Sequence, residues 1–330
     1  MKTVITDWTF PDLAIEEGIL KPLGTEVVAR PCRSEPDLLA ATGDADVVIT
    51  QFARLTPAVI QGMRRAKAII RYGIGVDNVD LAAASACGIP VCNVPDYCID
   101  EVADHTLALL LSLTRQIPAH HAHVQAGHWG LATPLEGFRS LAGQQVTLVG
   151  FGRIGRQVLA RLLPFRVRVR VFDPMLSPEA ISQAGATPVA TLEEALPLTD
   201  ILSLHCPSTS RTRQLIGEKG FALLKPGALL LNVARGDLVD TAALIQALDA
   251  GRLAGAGLDV CDPEPIPAGH PLLGRPNVIL APHVASCSVP AVTRLRKSVA
   301  TLAATALRGE LPPNVVNGVT TLPHHGSTLS

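Results

Sequence analysis

Short, unbroken apolar runs alternate with helix-like stretches through the first 98 residues. The runs are TVIT (3–6), EVVA (26–29), DVVIT (46–50), KAIIRY (67–72) and PVCNV (90–94). Continuous rather than alternating apolar character predicts strands covered on both faces. Between them lie PDLAIEEGILKPLG (11–24), PDLLAATG (36–43), TPAVIQGMRRA (56–66) and VDLAAASACG (79–88), each with helix-start chemistry or a terminating glycine. Strand and helix alternating at this spacing predict a parallel sheet with crossover helices.

The rhythm restarts near residue 145 with QVTLVG (145–150), VRVRVF (167–172), DILSLHC (200–206), GALLLNVA (227–234), LAGAGLDV (253–260) and NVILAP (277–282). This predicts a second, larger parallel sheet. DEVADHTLALLLSLTRQI (100–117) reads as one long apolar helix bridging the two, and VPAVTRLRKSVATLAATALRG (289–309) as another, ended by Gly309. A chain that leaves its first domain by one helix and finishes with another predicts a discontinuous domain closed by its own C-terminal helix. The tail TTLPHHGSTLS (320–330) reads as disordered.

Composition narrows the function classes. The chain has 330 residues, 48% of them hydrophobic, and a formal net charge of −1. It can bury two cores of ordinary size, and it has no charge excess to drive binding to nucleic acid or an anionic membrane. No long apolar segment opens the sequence or spans a bilayer's thickness. The seven cysteines are odd in number and include no Cys-x-x-Cys pair, which argues against a disulfide framework or zinc knuckle and for a reducing, cytoplasmic setting. HHAHVQAGHWG (120–130) holds four histidines but no nearby acid, so no metal site is expected there; an arm at a dimer interface is the expected role.

Gly150, Gly152 and Gly155 form G-x-G-x-x-G directly after a strand-like run and at the start of a helix-like one. In that context Gly150 permits the tight turn, Gly152 lets backbone approach a pyrophosphate, and Gly155 lets helix pack on strand. The helix N-terminus, with Arg153 and Ile154, presents free N–H groups to phosphates. Asp173 ends the next strand at the spacing of a ribose-binding acid, and Pro174 follows where a phosphate-binding base would otherwise stand, so NAD is preferred over NADP.

Ligands of open parallel sheets bind outside the carboxyl ends of the strands. Those ends carry Gly150, Asp173, His205-Cys206-Pro207, Arg235, Asp259 and His283. Polar residues commonly follow strands, so each has an ordinary reading on its own. Together they supply an acid–base and anion-binding set. Arg235 can hold a carboxylate bidentately. Glu264 lies in a loop stiffened by Pro263, Pro265 and Pro267, and a glutamate beside His283 would fix its tautomer and favour its proton-bearing form.

GFGRIG, FDP, NVARGDLVD, LDVCDPEP and APHVAS, together with RYGIGVDNVDLAAASACGIPVCNVPDYCIDEVADHTLALLL, resemble the D-isomer-specific 2-hydroxyacid dehydrogenase family over roughly residues 45 to 318. The closest branch in kind is that of the C-terminal-binding proteins and phosphoglycerate dehydrogenase-like enzymes. The resemblance implies Arg235, Glu264 and His283 as catalytic residues. It implies Arg71, Tyr72, Gly73, Ile74 and Gly75 as the substrate-carboxylate loop, with amides 73–75 as donors. Val102, Cys206, Pro207, Thr212, Val233, Ala234 and Asp259 match cofactor-pocket positions. Ser286 stands in the substrate pocket where the C-terminal-binding proteins carry a tryptophan.

The implied architecture is two Rossmann-like, doubly wound parallel-sheet α/β domains with an active-site cleft between them. Residues 1–98 and 289–330 would form a flavodoxin-like substrate domain, and 99–288 the NAD-binding domain. A homodimer and no long-form regulatory domain are expected. The implied reaction is NAD-dependent interconversion of a small D-2-hydroxyacid and its 2-oxoacid. Two other readings stay open: an NAD(H)-sensing binding protein of the C-terminal-binding-protein type, and a dehydrogenase of another small anion such as formate or phosphite.

Overall fold

The computed structural model describes residues 1–323, so residues 324–330 of the tail expected to be disordered lie outside it. Two compact units divide the chain: Met1–Tyr97 with the C-terminal segment from Ser288, and Cys98–Cys287.

The first unit contains β1 (Lys2–Ile5), β2 (Glu26–Ala29), β3 (Val47–Thr50), β4 (Ala68–Arg71) and β5 (Val91–Cys92) in the parallel order β2-β1-β3-β4-β5. The unbroken apolar runs have the expected cause: every residue of β3 and β4 is buried. Short helices start on side chains that accept the free N–H groups of their first turns. Ser34 takes Asp37 N, Thr56 takes Val59 N, and Asp80 takes Ala83 N. The helix Val289–Leu307 packs on the helix Ala14–Leu20 and against β3 and β4, so the far end of the chain completes this core.

That same segment also closes an edge of the sheet. Val315 bridges Cys92 antiparallel, and Val316 N donates to Val91 O at 2.9 Å. Asn317 then acts as a substitute strand residue: its Oδ1 accepts from Val91 N at 3.0 Å and its Nδ2 donates to Ile89 O at 2.9 Å. An open strand edge is thereby satisfied.

The second unit contains β6 (Gln145–Val149), β7 (Arg168–Phe172), β8 (Thr187–Pro188), β9 (Ile201–Leu204), β10 (Ala228–Asn232), β11 (Leu253–Leu258) and β12 (Val278–Leu280). All pair in parallel, in the order β12-β11-β10-β9-β6-β7-β8. The sheet is doubly wound, and its strand order reverses between β6 and β9. The helix Ile99–Thr114 belongs to this unit, packing on the helix Arg153–Leu162 and on β11. Gly257 in β11 permits that approach: a Cβ there would sit 3.1 Å from Leu109 Cβ.

The long helix ends earlier than the apolar pattern predicts. Pro118 cannot continue it, because the proline ring would meet the carbonyl of Thr114. Gln116 turns left-handed at φ +55°, and a second helix, Ile117–Gln125, begins with the proline in its first turn. The two-residue strand β8 was also not foreseen, being too short to carry a pattern. No helix among the described residues is long and apolar enough to cross a membrane.

Replacing Asn317 by alanine leaves the Val91 N–H and the Ile89 carbonyl without these partners. A destabilisation of about 1–3 kcal/mol is expected, read as a lower urea midpoint; an unchanged midpoint would show that the edge does not depend on this side chain.

Candidate active site

At the reversal between β6 and β9 the backbones come too close for side chains. Gly150 adopts φ +91°, and a Cβ there would lie 2.6 Å from Cys206 N. A Cβ at Gly155 would lie 2.5 Å from Gly150 O, so the helix Arg153–Leu162 can start only on a glycine-lined strand end. Gly152 faces open space and caps the helix with no side-chain acceptor, leaving its first N–H groups available. Arg153 is exposed and Ile154 half-buried beside it.

Asp173 is tied to this turn. Its Oδ2 accepts from Phe151 N at 2.7 Å and its Oδ1 from Met175 N at 2.9 Å, which orients the carboxylate beside the glycine loop. The rest of the rim is held internally. Thr212 Oγ1 donates to Pro207 O at 2.6 Å and accepts from Thr209 N at 2.8 Å, so its hydroxyl shapes the 207–212 loop. Val102 and Val233 are buried, and Ala234 and Cys206 are half-buried.

His283 is placed by β11 rather than by its own strand. Ala281 N donates to Leu258 O and His283 N to Asp259 O, each at 2.8 Å, extending the ladder past the end of β12. His283 then turns left-handed at φ +55°. The Asp259 carboxylate, 1% exposed, accepts from Val284 N and Ala285 N at 2.9 Å each and holds the turn that follows. Asp259, whose match to a cofactor-pocket position the resemblance implied, gives both carboxylate oxygens to these amides and lies 3.5 Å from His105 Nε2.

His283 Nδ1 meets Glu264 Oε1 at 2.7 Å. Burial works to raise the Glu264 carboxyl, but the hydrogen bond and charge of His283, the Cys261 amide and the Arg235 charge together hold it below the usual carboxylate range. An ionised Glu264 accepts the Nδ1 proton and leaves Nε2 as the nitrogen that can exchange one with a ligand. Asn232 sets the arginine three residues on: its Nδ2 donates to Arg235 O at 2.7 Å and its Oδ1 accepts from Ala234 N at 3.1 Å. Gly236 follows because a Cβ there would overlap Cys261 O. Ser286 is half-buried, three residues beyond His283.

In the first unit, residues 71–75 leave β4 under several restraints. Arg71 is buried, and its Nε donates to Gln51 O at 3.2 Å. Its guanidinium fills the space a Cβ at Gly73 would need, and Gly73 has φ +144°. Asn93 Nδ2 donates to Ile74 O at 2.6 Å, while Gly75 remains half-buried. Tyr72, expected in the same loop, gives its N–H to Thr50 O at 2.8 Å and turns its ring, 1% exposed, into the core.

Sequence reasoning missed Asp7. Its carboxylate accepts from Gln51 N, Phe52 N and Ala53 N at 2.9, 2.5 and 3.1 Å, shaping the loop that presents the half-exposed Phe52 near the Arg71 guanidinium. The signal was an acid at the end of the first strand, the position read as functional only in the second sheet.

Most of the second unit is similar to a known NAD-binding domain. The family model described as D-isomer specific 2-hydroxyacid dehydrogenase, NAD binding domain, matches residues 107–285. The chain belongs to this family. It is 37% identical over 318 residues to a D-3-phosphoglycerate dehydrogenase of Methanocaldococcus jannaschii, covering 96% of this chain and 59% of that one. A glyoxylate reductase of Pyrococcus furiosus is 36% identical over 286 residues, covering 85% of this chain and 84% of its own. The crystal structure of a D-lactate dehydrogenase from Aquifex aeolicus, complexed with NAD and lactic acid, superposes with a TM-score of 0.84 at 27% identity, covering 94% of this chain and 96% of that one. The chain spans about half to three-fifths of the length of the D-3-phosphoglycerate dehydrogenases it matches.

The dehydrogenase family's cofactor fits the residues present. Gly152 leaves room at a helix N-terminus for a pyrophosphate, and Asp173 stands oriented beside it for a ribose diol. The thiols around this site are held as thiols. Burial, with the charges of Asp173 and Asp237, pushes Cys206 to about 11; burial, with Glu264 and Asp259, does the same for Cys261. The four histidines of 120–130 belong to the helix Ile117–Gln125 and the turn after it. His120 Nδ1 meets Gln116 O at 2.9 Å, its Nε2 accepts from Ala132 N at 3.2 Å, and His123 and His128 lie ring to ring at 5.0 Å.

His205, just after β9, is half-buried, with its Nδ1 shut off from solvent. Burial pushes its imidazole down to about 4, and Ser203 Oγ lies 2.8 Å from its Nε2. The folded state therefore holds His205 neutral while the unfolded chain takes a proton below 6.5. Its contribution is complete above that pH and is lost as pH falls from 6.5 towards 4. Thermal melts across this window should show a falling Tm in the native protein and a shallower fall in His205→Gln, the difference amounting to about one proton; equal slopes would remove His205 from the acid response.

Proposed function

We propose that this protein is an NAD-dependent oxidoreductase that interconverts a small D-2-hydroxyacid and its 2-oxoacid. The observation that carries this reading is the 2.7 Å Glu264–His283 pair, close enough to Arg235 for the arginine's charge to act on Glu264. NADH, when bound at the Gly150–Gly155 turn, supplies the hydride for the substrate carbon. The guanidinium of Arg235 and the amides of residues 73–75 take the substrate carboxylate, and Arg235 also polarises the neighbouring carbonyl. His283, its Nδ1 fixed on Glu264, gives a proton from Nε2 to the carbonyl oxygen, and in the reverse direction withdraws it from the hydroxyl. Asp259 keeps the imidazole in place by holding the two amides beyond it.

The substrate class follows from this set. A carboxylate is needed for Arg235, and a carbonyl beside it for His283. Relatives named for glyoxylate and phosphoglycerate, and a solved D-lactate dehydrogenase, favour short 2-oxoacids, with Ser286 as a residue that borders the substrate's side chain.

We also infer that the protein pairs as a homodimer through its second unit. Ile117, Val124, Trp129, Leu131 and Leu135 are all exposed, Trp129 at 93%, and all fall within residues 117–135. So much apolar surface in one segment marks a protein interface. The seven free cysteines suit a reducing compartment, and we place the protein in the cytoplasm.

NADH oxidation with glyoxylate, hydroxypyruvate, pyruvate and phosphohydroxypyruvate tests the activity. His283→Ala should lower kcat by about 10²–10⁴-fold and leave the NADH dissociation constant unchanged; native kcat in this variant would overturn the acid–base role. For the assembly, sedimentation should give a dimer for the native chain and a monomer for a Trp129→Ser, Leu131→Ser double variant. A monomeric native chain would exclude the pairing.

A further inference from the structure

A buried ionic cluster lies beneath the 71–75 loop of the first unit. Glu16, on the helix Ala14–Leu20, is fully buried, and it is met by a residue 280 positions away. Arg296 Nε donates to Glu16 Oε1 at 2.9 Å and Nη2 to Oε2 at 2.7 Å. Arg296 Nη2 also donates to Asp12 O at 2.8 Å and Oδ1 at 3.0 Å. The remaining capacity of Glu16 Oε1 is taken by Tyr72 OH, at 3.0 Å. Phe10 lies over the Arg296 guanidinium at 5.1 Å and edge-on to the Tyr72 ring at 5.2 Å, closing the cluster with apolar surface.

Packed hydrophobic residues would stabilise such a core at least as well, since burying both charges costs several kcal/mol per ion. What the ionic version adds is a fixed distance. Tyr72 is tethered at both ends: its N–H on Thr50 O in the sheet and its hydroxyl on Glu16. Burial and the Glu16 charge raise its phenol above the ordinary value, so it remains a donor. The next residue, Gly73, has its N–H on Arg71 O and its carbonyl on Val94 N, each at 2.9 Å, and the run that it begins is restrained from its other side by Asn93 on Ile74 O. The amides of 73–75 thus hang between a tether below and a tether beside them.

We propose that Glu16, Arg296 and Tyr72 form a strut that sets the position of the 73–75 amides for the substrate carboxylate, with Tyr72 the positioning residue. This rests on the reading above that those amides take the carboxylate. Tyr72→Phe removes one hydroxyl, keeps the ring against Phe10 and leaves Glu16 paired with Arg296.

In the holoenzyme assayed with glyoxylate and NADH, Tyr72→Phe should raise KM for glyoxylate about five- to tenfold, the worth of one lost hydrogen bond. KM for NADH should stay unchanged and kcat should change less than twofold. Asn93→Ala, which frees the loop from its other side, should also raise KM for glyoxylate. If Asn93→Ala raises it and Tyr72→Phe does not, even with a lowered Tm, the strut is only structural and the carboxylate reading stands. If neither variant moves it, the carboxylate reading fails and the strut with it. An equal rise in KM for NADH in Tyr72→Phe would mean general loosening and would overturn the positioning role.

Discussion

One buried carboxylate fixes the geometry of the reacting end of this molecule. Asp259 takes the amides of Val284 and Ala285 while its own carbonyl takes the amide of His283. The histidine is thereby bracketed on both sides by a single residue of the neighbouring strand. A left-handed backbone at a non-glycine residue carries a conformational cost and persists only where the surroundings determine it. Here the determinant is in view, and the imidazole meets Glu264 from a backbone that cannot relax away.

The same device recurs at other strand ends. Asp173 takes Phe151 N beside the glycine turn, and Asp7 takes three successive amides of the loop after β3. In each case an acid at the end of one parallel strand organises the loop that follows another. In a parallel sheet the loops that leave the strands all emerge at the same end, where backbone donors lack ladder partners. Short acidic side chains there satisfy those donors and shape the loops together.

Much of this was legible in the sequence. Eleven of the twelve strands follow from the pattern, along with the glycine turn and the ends carrying Arg235 and His283, although β2 and β12 hold no fully buried residue and β7 alternates arginine with buried valine. What was not legible has physical causes. The apolar pattern of 100–117 overrode Pro118, although the proline's clash with a carbonyl four residues back decides where the helix stops. Tyr72 reads as part of a ligand loop from the motif around it, and only the fold shows its ring turned towards a glutamate 56 positions earlier. Asp259 looks like any strand-end acid until its backbone partners, 25 and 26 residues further on, are in view.

The discontinuity of the first unit has a consequence for how the chain is made. The strands β1 to β5 leave the ribosome before residue 98, but the helix that covers β3 and β4 and the Asn317 that satisfies β5 follow some two hundred residues later. The second unit is a single uninterrupted segment and has all of its own strands by residue 280. During synthesis, therefore, the later unit can reach its final core first, while the earlier one waits with an uncovered sheet face and an unpaired edge. Of the two units, the one whose strands come first is completed later.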